Sequence, residues 1–73
     1  MNRPFSNQKN LVEIEASVVA ETEEGKTTVG AVRINAGDKI VWLPKSQLED
    51  WPDVGEYGTV LMPDWLAREK GLI

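Results

Sequence analysis

The sequence predicts a mainly β (α+β) fold: a small antiparallel sheet, or partly closed barrel, of three to four strands with one short C-terminal helix. Three observations point there. Residues 11–18 alternate polar and apolar side chains with a period of two, the pattern of a strand with one buried face. Short polar stretches containing glycine separate this run from further Val- and Ile-rich runs. The final stretch, PDWLAREKGLI, follows helix rules instead.

The elements follow in chain order. MNRPFSNQKN, residues 1–10, reads as a flexible N-terminal arm, and residues 11–73 as a single small β-rich domain. In the first strand Leu11, Glu13, Glu15 and Ser17 fall on one side, and Val12, Ile14, Ala16 and Val18 on the other. ETEEGK is a turn, and TTVGAVRIN is the returning strand of a hairpin, with Gly30, Val32 and Ile34 on one face. NAGD turns the chain again into KIVWLP, whose apolar run predicts a third strand buried on both faces. Pro44 ends that strand, because it has no N–H to donate to a ladder. KSQLED fits either a continued edge strand or a helical turn. WPDVGEYG is a loop, and TVLM a short fourth strand.

In the tail, Pro63 suits the first helical position and Asp64 the first turn, where a negative charge meets the positive end of the dipole. Arg68 and Lys70 suit the last turn, and Gly71 the stop. A helix of barely two turns is not stable alone in water, so it must pack on something. The nearest surface is its own sheet, with Trp65, Leu66, Leu72 and Ile73 to bury. Trp42 and Trp65 are therefore expected in the core.

Composition limits the chemistry. Seventy-three residues make one domain whose single core supplies marginal stability. There is no cysteine, hence no disulfide and no thiolate-bound metal, and no histidine, the commonest general base. Ser46 beside Lys45 resembles a serine–lysine pair in writing only, because neighbours on a strand point to opposite faces. Glu13 and Glu15 share a strand face but bring no further ligands. Glu49, Asp50, Asp53 and Glu56 gather in one loop, yet their spacing matches no calcium pattern with a central glycine. No phosphate-binding or dinucleotide-binding glycine loop is present. The chain is read as non-enzymatic, without metal or cofactor.

The net charge of −4 argues against tight binding to a phosphate backbone, which needs clustered Lys and Arg. It favours a protein partner with a basic surface, and self-association into a homodimer is compatible with so small a core. No apolar stretch approaches a membrane span, and the N-terminus lacks a signal-peptide core, so a cytoplasmic protein is expected. The predicted partner-binding surface is the loop of Glu49, Asp50, Trp51, Asp53, Glu56 and Tyr57. It combines interface-type aromatics with a local negative field that would steer a basic partner. Two readings of Trp51 stand side by side: an exposed anchor, or a ring folded back over an open end of the sheet.

Two segments carry a family resemblance. WLPKSQLED, residues 42–50, and MPDWLAREKGLI, residues 62–73, resemble a class of short bacteriophage and prophage accessory proteins without a uniform function. Their shared pattern is a Trp-Leu/Ile-Pro-Lys-Ser-Gln segment, an acidic spacer and a Pro-acidic-Trp-Leu-Ala end finishing in Lys-Gly-Leu. The resemblance implies a phage accessory protein in the cytoplasm of a bacterial host. It leaves two function classes: a protein-binding module, such as an inhibitor of a host defence system, or a small single-stranded nucleic-acid-binding protein of replication or recombination.

Overall fold

The structure, a computed structural model, describes residues 10–73. Apart from Asn10, the predicted N-terminal arm lies outside the described residues. Strands β1 (Leu11–Glu21), β2 (Ala31–Ala36), β3 (Lys39–Pro44) and β4 (Tyr57–Pro63) form one open antiparallel sheet of order β3-β2-β1-β4. The short helix α1 (Asp64–Glu69) follows β4 directly.

The period-two pattern of β1 places Ile14, Ala16 and Val18 on the buried face. Val32 and Ile34 of β2, Leu43 of β3, and Val60 and Met62 of β4 join them. Val19 sits where the β1–β2 register shifts between Val18 and Ala20; this bulge leaves it exposed and carries Glu21 into register with Val32. Gly37 and Asp38 make the two-residue β2–β3 hairpin, with Gly37 at φ +72° as such turns require.

The first hairpin differs from its prediction. The returning strand begins at Ala31, and residues 22–30 form one wide loop closed by a bond from the Thr22 N–H to the Ala31 carbonyl, 2.9 Å. Gly30 explains why. Its φ is +90°, and a Cβ there would lie 2.6 Å from the Thr22 carbonyl oxygen, so the chain crosses itself too closely for a strand residue with a side chain.

The third strand is not buried on both faces. Leu43 and, partly, Val41 face the core, while Ile40 and Trp42 point to the uncovered face of the sheet, leaving Trp42 44 % exposed. Apolar content predicted a sandwiched strand, but β3 lies at the sheet's edge and, among the described residues, nothing covers Ile40 and Trp42 on one face.

The tail packs on its own sheet as expected, by different residues. Leu66 and Ala67 are buried, whereas Trp65 is 50 % exposed. With only six helical residues, one narrow stripe can face the sheet, and adjacent positions are turned about 100° apart. Pro63 ends β4 and caps the helix instead of opening it. The Asp64 N–H donates to the Asn10 carbonyl at 2.6 Å, and the Asp64 carboxylate accepts from Arg68 Nε at 2.5 Å across one turn. Gly71, at φ +74°, terminates the helix: its N–H reaches the Arg68 carbonyl, and the Leu72 N–H reaches that of Ala67. This is the Schellman arrangement, with Leu72 partly buried against the core.

Candidate functional site

The predicted site loop crosses one end of the buried sheet face. After Pro44 the chain makes a single 3₁₀ turn, Lys45–Gln47, then buries Leu48. The Glu49 N–H donates to the Leu61 carbonyl at 2.8 Å, and the Leu61 N–H to that of Asp50 at 2.9 Å, so the loop lines the outer edge of β4. Further on, the Gly55 N–H donates to the Val18 carbonyl and the Val18 N–H to that of Glu56, extending the β1–β4 ladder. Pro52 lies over Gly58, where a Cβ would approach its Cγ to 3.1 Å. These bonds tie the loop down at both ends.

Trp51 is 7 % exposed. It is the ring folded back over the end of the core, and the exposed-anchor reading of this residue is corrected. The physical reason is that the open end of an uncovered hydrophobic face offers a large apolar ring more burial than solvent does. Around it the structure assembles a cluster that sequence reading missed. Lys45, in the segment expected to be a continued edge strand or a helical turn, is 1 % exposed. Its Nζ donates to Glu21 Oε1 at 2.8 Å, to the Gly25 carbonyl at 2.7 Å and to the Glu23 carbonyl, which uses all three ammonium protons. The same ammonium lies 5.9 Å from the Trp51 ring centroid. Lys26 lies 4.5 Å over that ring and donates to the Trp51 carbonyl and, at 3.2 Å, to Asp50 Oδ1.

The bond from Lys45, ahead of its Coulombic attraction, holds the Glu21 carboxyl below its usual value of 4.5. Asp50 is likewise lowered from 3.8, first by Lys26 and next by the backbone N–H of Trp51. Ser46 is exposed while Lys45 is buried in this network, so the two form no dyad. Glu15 accepts a 2.5 Å bond from the Thr59 hydroxyl on the uncovered face. Among the described residues no group of three or more His, Cys, Asp or Glu side chains could hold a metal ion.

The remaining predicted residues stand at the surface. Glu49, Asp50, Asp53 and Glu56 are exposed, and Tyr57 is 68 % exposed at the start of β4. Folding adds a second acidic loop to the first. Glu21, Glu24, Lys26, Trp51, Asp53 and Val54 line a cleft of about 310 Å³ between residues 21–26 and 51–54. Comparison with known protein families, curated proteins and solved structures finds no match to this chain. Among the described residues no helix is long and apolar enough to cross a membrane.

One signal in the sequence pointed to Lys45. It shares strand parity with Leu43, two residues earlier, and so inherits the inward direction of β3. Its three acceptors come from residues 21–25, far away in the chain, and nothing local announced them.

Proposed function

We propose that this chain is a non-enzymatic accessory protein that binds a partner protein with a basic surface. The binding surface is formed by Asp53, Val54, Glu56 and Tyr57 together with Glu24 across the cleft. One observation carries the reading: the two lysines nearest this surface are each engaged by an acid, Lys45 by Glu21 in the buried network and Lys26 by Asp50 at the surface, which leaves Glu24, Asp53 and Glu56 as a local acidic excess. Glu24 and Asp53 line the cleft, and Glu23 and Glu56 are exposed beside them in the chain. Val54, exposed in the cleft wall, supplies the apolar contact that charge alone lacks, and Tyr57, exposed three residues further on at the start of β4, extends it onto the other face of the sheet. The loop's backbone bonds at both ends hold these groups in place before binding, which lowers the ordering entropy. Membership of the phage accessory class that residues 42–50 and 62–73 resemble would make the partner a host-cell or phage protein.

The test is affinity capture from bacterial lysate with nuclease, followed by kinetics on the captured protein. Tyr57→Ala should raise Kd about tenfold or more through faster dissociation. Asp53→Lys with Glu24→Lys should slow association and flatten its salt dependence. Binding indifferent to all three substitutions rejects this surface.

A second reading rests on a separate observation. Trp42 and Tyr57 are exposed on the uncovered sheet face, and Arg33 is the cross-strand neighbour of Trp42. Aromatics beside a cation can stack nucleic-acid bases. Glu13 and Glu15 share that face, and with the net charge of −4 they place this reading second. Sub-micromolar affinity for single-stranded oligonucleotides, falling steeply with salt, would reverse the order.

A further inference from the structure

We infer that the edge of β3, unpaired among the described residues, pairs with the β3 edge of a second copy of this chain, joining two sheets into one across a two-fold axis at Val41. The two edges of the sheet are not alike. The outer edge of β4 is engaged by the Asp50–Leu61 bridge, whereas β3 ends the sheet order on the other side. The bond from the Lys45 N–H to the Gly30 carbonyl sets the alternation along β3. It turns the backbone of Leu43, Val41 and Lys39 toward β2, and that of Trp42 and Ile40 outward. A strand edge with unmatched N–H and C=O groups is a template for another strand.

What sits on this edge fits a second copy. Natural edges are blunted by charges, by bulges or by brevity. β3 carries Lys39 at its start and Pro44 at its end, but between them run Ile40, Val41, Trp42 and Leu43, with Ile40 and Trp42 exposed on the uncovered face. Antiparallel pairing centred on Val41 sets Ile40 opposite the second copy's tryptophan at position 42, and Trp42 opposite its isoleucine at 40. Each such pair exchanges both N–H···O bonds, and each is an aromatic beside a β-branched side chain, a favourable cross-strand match. Centring on Trp42 instead would set Ile40 against a proline, which has no N–H to return. The strand contains no carboxylate, so the seam brings no acidic side chains face to face.

The absence of cysteine makes the register testable with single substitutions in the full chain. Sedimentation should show a concentration-dependent monomer–dimer equilibrium. Val41→Cys should form an intermolecular disulfide under mild oxidation, because residues facing each other across a non-hydrogen-bonded pair have disulfide geometry. Ile40→Cys and Trp42→Cys, offset from the axis, should cross-link far more slowly. Ile40→Pro removes only an outward N–H, so it should abolish the dimer while the β-sheet circular dichroism persists. A full chain that stays monomeric at every concentration overturns the inference. Monomers with exchange-protected amides at Ile40 and Trp42 would do the same, assigning the edge to residues 1–9. A dimer unaffected by Ile40→Pro and not captured by Val41→Cys uses another surface and also overturns it.

Discussion

Lys45→Met tests the energetic centre of the domain. Methionine keeps the apolar stem and most of its volume, so little cavity is added and the change isolates the ammonium group. Three hydrogen bonds from a charged donor are lost, each worth about 1.5–3 kcal/mol where its acceptor stays dry. The acceptors do not all stay dry: the Glu21 side chain is 19 % exposed, and the Glu23 and Gly25 carbonyls belong to an exposed loop. The net loss therefore falls well below the sum, at about 3–5 kcal/mol, the range for breaking a buried ion pair. A chain of this length holds roughly 4–11 kcal/mol in all, so the variant should lose about a quarter of its stability or more. Urea unfolding read by tryptophan emission is suited to the measurement, because the Trp51 ring lies beside Lys45. With m near about 1 kcal/mol per M for so small a domain, the midpoint should fall by roughly 3 M or the variant should be unfolded without denaturant. Glu21→Gln, which retains an oxygen acceptor, should be milder. A Lys45→Met stability within about 1 kcal/mol of the parent would refute the reasoning and make Lys45 a passenger in the loop.

Two further outcomes follow from the same contacts. Leu66→Ala should destabilise by about 2–5 kcal/mol, while Trp65→Ala should change stability by about 1 kcal/mol or less. A larger loss for Trp65→Ala than for Leu66→Ala in thermal melts would mean that Trp65, not Leu66, faces the sheet. Acid should weaken the domain through Glu21 and, to a smaller extent because it is exposed, Asp50, whose carboxyls are both lowered in the fold. Their contribution is complete above their ordinary values of 4.5 and 3.8 and is lost as pH falls through the lower folded values. Lys45→Met should remove the Glu21 part of that slope, and an unchanged acid limb in pH-dependent melting would exclude it.

Local rules made the strands and the helix stop legible before any tertiary contact was known. The alternation of Val12, Ile14, Ala16 and Val18 needs only the two-residue repeat of a strand, and it named the buried face. Gly37 and Gly71 announce positive φ because other residues rarely adopt it. The placement of the three tryptophans was not legible. Whether an apolar ring is covered depends on which face of a sheet has something above it, and that is settled by where residues 45–56 and the helix land. They land on one face only, so Trp51 closes the core while Trp42 and Trp65 remain half exposed. The acidic surface divides in the same way. Its carboxylates at 49, 50, 53 and 56 stood together in the chain, but Glu24 joined them, Lys26 paired with Asp50 and Lys45 was withdrawn only when two distant loops met around the Trp51 ring. A lysine's position follows from strand parity; its partners follow from the path of the whole chain.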